Sequence, residues 1–357
     1  MFRANCTRRL VKLSCLAMVL LLLPQLAHAE RFKRVDRDWR GHRDLEPGKQ
    51  TGELFEEFFP ALDPGWAPEA SEWIRLDRES RLGFGYGATL NRVDGFGLLL
   101  SEELRSRGRG PSLRAYEGYG FTSEEWSGAV EVALHPLVRD LEVGARWADE
   151  TTAWPIPRQA VTADENFLAA FFSREDFSDY LRRRGRAMFL RYRPNAQHGA
   201  AVSYLQETHS SRRRRIAQFG IFGGRERFDS NPPVDEGKWN AIQFRGYWSH
   251  GGDPSIWGPD LTRALLTDAI WSGGSLGGER WFTRLWAEHR GWFRISPAQS
   301  LGYRIQGGGT PQGWVADDGS RLPQQWQFQA GGIGRLRGHR FEAFPGDRIL
   351  LGTLKYG

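Results

Sequence analysis

The densest concentration of residues able to do chemistry is Gly331-Gly332-Ile333-Gly334-Arg335-Leu336-Arg337-Gly338, followed by His339 and Arg340. Glycines at this density suggest a nucleotide loop, but Gly332-x-Gly334-x-x-x-Gly338 has the wrong spacing for one. It also carries arginines and leads into a strand, not into the helix that would hold a pyrophosphate. Two further basic clusters, Arg212 to Arg215 and Arg182, Arg183, Arg184 and Arg186, could meet nucleic-acid phosphates. No aromatic platform or reading helix accompanies them, so outer-membrane lipid headgroups and lipopolysaccharide phosphates are the better counter-charges. The chain has no His-Glu-x-x-His helix and no Gly-x-x-x-x-Gly-Lys loop. Its histidines stand apart without metal-ligand spacing. The expectation is a protein that is not an enzyme and has no cofactor, metal or nucleic acid.

What positions the glycine–arginine loop is a pair of strands. Trp326 to Ala330 before it and Arg348 to Gly357 after it alternate as half-buried strands do. The same alternation runs through much of the chain. Trp126, Gly128, Val130, Val132 and Leu134 oppose Ser127, Glu131 and His135, while Ile242, Phe244 and Trp248 oppose Gln243, Arg245 and Ser249. The pattern predicts strands over 92–101, 112–121, 126–135, 139–148, 185–193, 198–207, 239–249, 263–272, 279–290, 299–306, 324–331 and 348–357. One face is apolar and the other carries Arg, Glu and Gln. A soluble sandwich would turn the apolar face inward, whereas a barrel of this size turns it to lipid and lines its lumen with the charges. Trp 15, Tyr 9 and Phe 22 alongside a mean hydropathy of −0.54 are awkward for a bundle of membrane helices and expected of an outer-membrane barrel with aromatic girdles.

Residues 1–29 read as a secretory signal peptide: Arg3, Arg8, Arg9 and Lys12, then an apolar run from Leu13 to Leu23, then Ala27-His28-Ala29. They contain both cysteines and four of the six net positive charges, so the high pI is mainly a targeting feature. Residues 30–91, rich in charge and proline, read as a periplasmic arm and barrel entry, and 92–357 as the barrel. Asp164 to Leu181 breaks the strand pattern. Phe167, Leu168, Phe171 and Phe172, then Phe177, Tyr180 and Leu181, recur at helical spacing after a Thr162-x-x-Glu165 capping box, with Arg182 and Arg183 at the C-terminal end. Two readings stand side by side, a hydrophobic loop on the rim and an interfacial amphipathic helix.

The Gly331-Gly332 pair, the gap to Leu336-Arg337-Gly338-His339, then Phe344-x-Gly346 and a strand ending Lys355-Tyr356 together resemble the signature of the bacterial surface antigen superfamily of outer-membrane barrels. Leu336 stands where that family has Val, and His339 where it has an aromatic residue. By spacing alone the stretch is equally a solvated glycine loop. The resemblance implies an all-β, transmembrane antiparallel β-barrel in the Gram-negative outer membrane, with about twelve of about sixteen strands present. It further implies an in-folded loop in which Arg337 pairs with an acid on the inner wall, Gly338 allows the tight turn, and Gly331 and Gly332 open it. The polypeptide-transport-associated repeats of the family have no room here, and the barrel is expected to be incomplete at its C-terminal end. The implied function is insertion or translocation of client proteins, or of lipids, at the outer membrane. The alternative is a passive pore or structural barrel. Strand parity predicts the arginine loop outside and the insertions 149–184 and 208–238 in the periplasm.

Overall fold

The computed structural model of the protein describes residues 74–75, 82–105, 110–135, 140–155, 163–195, 197–217, 227–251, 262–296, 299–311, 321–332, 336, 339 and 343–357. The expected signal peptide lies outside them. Among the described residues the strands are β1 Ile74–Arg75, β2 Leu82–Asn91, β3 Gly95–Arg105, β4 Ser112–Gly120, β5 Glu125–Leu134, β6 Leu141–Ala153, β7 Tyr180–Asn195, β8 His198–Ser211, β9 Gly237–His250, β10 Arg263–Ser272, β11 Phe282–Ser296, β12 Gln299–Gly309, β13 Phe328–Ala330, β14 Phe344–Gly346 and β15 Ile349–Tyr356, with one helix, α1 Ala163–Ser173, before β7. β1 to β12 follow one another in a single antiparallel sheet that continues directly into β15. β13 and β14 form a separate two-stranded ribbon between β12 and β15.

The two faces of the sheet differ in a way a flat sheet cannot produce. Glu288 and Arg290 are 0% exposed on one face, whereas Trp147 is 51% and Phe293 59% exposed on the other. The sheet therefore curls around its charged face and turns Val130, Val143, Leu190, Phe244 and Leu354 outward. Contacts between distant strand ends give the same curvature. Arg212, one residue past β8, lies 3.0 Å from Asp94, one residue before β3, although five strand spacings of about 4.8 Å would separate them in a flat sheet. A polar interior inside an apolar belt is the wall of a membrane-spanning barrel. Among the described residues, β1 and β15 are the sheet's two ends and no pair joins them.

Several expectations are corrected. The sheet begins before residue 92: β2 is a full strand, and Arg92-Val93-Asp94 is the turn into β3. Gly83, Gly85 and Gly87 occupy its inner face opposite the outward Leu82, Phe84 and Tyr86, so the alternation there is apolar against glycine, and a reading tuned to apolar against charged residues passes over it. The predicted strand 324–331 is not in the sheet. Gln324–Trp326 is a 3-10 turn and only Phe328–Ala330 is extended. Gln325 and Gln329 are buried like Trp326 and Phe328, because this segment lies against the wall with protein on both sides. Missing β2 and adding 324–331 shifts the parity of every strand between them, and with it the sidedness. The insertions 154–179 and 212–236 and the 310–348 segment all leave the sheet at the same end, as do the turns 92–94 and 121–124.

The helix is shorter than the periodicity predicts. It stops at Ser173, and Arg174 takes a positive φ of 61°. Tyr180, Leu181, Arg182 and Arg183 open β7, so the arginines are strand residues and not cations at a helix terminus. Thr162 of the expected capping box lies outside the described residues.

Candidate functional site

The lumen-facing side chains form a continuous layer of ion pairs, because inward positions recur every second residue and neighbouring strands bring them side by side. On β4 to β7 the centre is Glu150. Its carboxylate accepts from Arg146 Nη2 at 2.9 and 3.0 Å, from Arg183 Nε at 2.9 Å, and from the Tyr116 hydroxyl. Further from the end that carries the insertions, which is the mouth, Arg191 donates to Glu131 at 3.0 Å and to Glu142 at 2.9 Å. Each carboxylate offers about four acceptor sites, so one Glu can satisfy two guanidinium groups and a phenol at once.

On β8 to β12 the corresponding centre is Asp268, which accepts from Arg245 Nε at 2.6 Å, Arg284 Nη2 at 3.0 Å and Gln243 Nε2 at 2.8 Å. Here the wall also carries aromatics: Trp239, Phe282, Trp286 and Trp292 share one apolar cluster with Leu322, Trp326 and Phe328 of the 321–332 segment. Trp326 packs 5.5 Å from Phe282 and 5.9 Å from His209, with the Arg284 guanidinium 5.0 Å over its ring. Gln325 forms two hydrogen bonds with the backbone of Asp235, its Oε1 accepting from the N–H at 3.1 Å and its Nε2 donating to the carbonyl at 3.0 Å. The Asp235 carboxylate in turn accepts from Gln324 N at 2.8 Å, and Asp347 accepts from Leu322 N at 2.8 Å. Segment 321–332 is thus docked on the inner wall by burial of two large aromatics and a set of directed hydrogen bonds.

The residues singled out from the motif meet different fates. Gly331 and Gly332 have φ of 109° and 83°, backbone that side-chain-bearing residues rarely adopt, and Gly332 N donates to Leu336 O at 3.0 Å. His339 meets Phe344 edge to face at 5.0 Å, and Gly346 pairs with Phe328 in the β13–β14 ribbon. Arg337 and Gly338 lie outside the described residues. The docking groups, Gln325, Trp326 and Phe328, stand ahead of the motif. Their alternation marks them as a strand, and only their burial on both sides shows the error.

At the mouth, Arg92 is a hub that the sequence reading missed. Its N–H donates to Asp176 Oδ2 at 2.8 Å, its guanidinium to Asp176 O at 3.1 Å and to Asp179, and its carbonyl accepts from Arg215 N at 2.9 Å. One turn residue therefore ties both insertions to the β2–β3 hairpin. The basic run is largely engaged inside the molecule. Arg212 bonds Glu125 at 2.8 Å, Arg215 bonds Glu125 and the Ser123 carbonyl, and Arg214 bonds the Phe228 carbonyl. Burial opposes the charge on Arg212, but Asp94 and Glu125 outweigh it and hold the guanidinium above its ordinary range. On the outer rim, Arg182 and Arg184 share Asp149, at 2.5 and 2.9 Å. Helix α1 buries Ala170 and packs Phe167 and Phe171 with Leu90, Ile216 and Phe228, while Leu168 and Phe172 stay exposed. Among the described residues no group of His, Cys, Asp and Glu converges as metal ligands.

No protein-family model and no curated protein matches the chain. Among solved structures it is similar to BamA from Haemophilus ducreyi lacking POTRA domains 1–3, at 11% sequence identity and a TM-score of 0.46, over 81% of this chain and 53% of that one. The chain therefore spans about half the length of that structure.

Proposed function

We propose that the chain is a Gram-negative outer-membrane barrel, exported by a cleaved signal at 1–29, that inserts or translocates proteins, or lipids, through a lumen gated by segment 321–332. What supports this is how that segment is held. β12 pairs directly with β15, so the docked segment 321–332 can leave the wall without breaking one hydrogen bond of the main sheet. A segment held only by side-chain packing and side-chain hydrogen bonds suits a part that must move. The long insertions share the mouth with it, and in bacterial barrels long loops face the cell exterior. We therefore place this mouth outside, replacing the periplasmic assignment of 149–184 and 208–238.

The deciding experiment records single-channel currents in planar bilayers together with photo-cross-linking from Gln327 in cells. Capture of an unfolded outer-membrane protein or a lipid, with brief or absent conductance, supports the proposal. Steady conductance with nothing captured makes the chain a passive pore. A second role belongs to the rim. Phe96, Phe121, Tyr119 and Trp126 make successive ring contacts with centroid separations of 6.0, 5.4 and 5.1 Å, the Trp126 carbonyl accepts from Arg182 of the Arg182–Asp149–Arg184 group at 2.7 Å, and Leu168 and Phe172 are exposed on α1. This row favours α1 as an interfacial helix and lipopolysaccharide phosphate as a neighbour. A Leu168→Asp/Phe172→Asp pair should lower the yield of barrel folded into vesicles and leave folding in detergent micelles unchanged.

A further inference from the structure

His209, buried near the mouth end of β8, lies between Trp239 and Trp326, 5.9 Å from each ring. Its Nε2 is 3.1 Å from Glu207 Oε2 and its Nδ1 is 3.4 Å from Gln325 Nε2. The Gln325 amide is oriented from its other side by the two bonds to the Asp235 backbone. Turning it over would set donor against donor and acceptor against acceptor there, so Gln325 presents an N–H to His209. Nδ1 must therefore accept, and the ring proton sits on Nε2 facing the Glu207 carboxylate.

We propose that His209 is a proton-operated latch for segment 321–332: the neutral ring holds the segment docked, and a proton on Nδ1 releases it. The Nδ1 lone pair takes a proton from hydronium, leaving water, and the ring becomes an imidazolium with N–H groups on both nitrogens. Nδ1–H then points at the Gln325 N–H. Neither side can turn away, since Glu207 and two indoles hold the ring and Asp235 holds the amide. The new charge also enters a wall that already holds Arg183, 3.9 Å from Glu207, and Arg284 over the Trp326 ring. The acids around it are Glu207 itself, Glu150 paired to Arg146 and Arg183, Asp268 paired to Arg245 and Arg284, and Asp235, whose carboxylate accepts from Gln324 N. The Glu207 carboxylate, 3.1 Å from Nε2, faces the charge that protonation brings. The clash with Gln325 determines what protonation does. The latch does not depend on what passes through the lumen.

The test uses the whole chain with Cys6→Ser, Cys15→Ser and Gln329→Cys, which places a thiol in the docked segment at a buried position. Labelling by a water-soluble maleimide is divided by that of an exposed Arg321→Cys control at the same pH, which removes the pH dependence of the reagent. The ratio should rise about ten-fold between pH 8 and pH 5, as expected for losing one buried hydrogen bond and gaining a donor clash. His209→Gln should make the ratio independent of pH, and Glu207→Gln, which keeps the ring, should move release to lower pH. A ratio that does not change in the parent chain overturns the latch. So does acid release that persists in His209→Gln, or a release pH unmoved by Glu207→Gln.

Discussion

The two halves of the wall solve one problem differently. From β4 to β7, Glu150 and Glu131 neutralise the arginines around them side chain to side chain, and no aromatic cluster lies on that lumen face among the described residues. From β8 to β12 the Asp268 cluster does the same, but Trp239, Phe282, Trp286 and Trp292 also offer apolar surface, and segment 321–332 covers it. A buried ion pair is costly to break and contributes little by existing, whereas apolar burial is graded and reversible. The first half is therefore built to stay fixed, and the second to hold a part that can leave.

The strongest way to break this comparison is Glu150→Ala, which removes the carboxylate that Arg146, Arg183 and the Tyr116 hydroxyl share. It should cost up to about 5 kcal/mol of urea stability in detergent and leave segment 321–332 docked by the labelling ratio. Trp326→Ala should do the reverse, undocking the segment at a cost of about 3 kcal/mol in docking energy while the sheet keeps its resistance to heat in electrophoresis. If both substitutions weaken the sheet equally, the halves are one cooperative unit and the contrast fails. Gly331→Ala sharpens the picture by forcing a side chain onto φ of 109°, with an expected cost of about 1–3 kcal/mol confined to the docked segment and read by the same ratio.

The smallest effect concerns Glu236, which accepts from Ser211 N at 2.8 Å where the second insertion meets β8 and β9. The Ser211 backbone amide, then its hydroxyl, hold this carboxylate below its ordinary range. A lowered folded value means the contribution is present above the ordinary glutamate pKa and is lost as pH falls through the folded one. The melting temperature of Glu236→Gln should therefore differ from the parent near neutrality and converge with it in acid, below the ordinary glutamate range.

The sequence by itself determined the class of wall. Strands such as 112–121, 126–135, 263–272 and 299–306 were legible because an apolar outer face against a charged inner one gives a strong period of two, and they fall on β4, β5, β10 and β12 within a few residues. What only the tertiary structure decided is what lies across the curl. Gln325 and Trp326 alternate just as a barrel strand does, and nothing local distinguishes a strand paired in the wall from a segment pressed against it. Arg92, Asp268 and His209 acquire their roles from partners tens of residues away, whose arrival depends on the curvature of the whole sheet and not on any spacing in the chain.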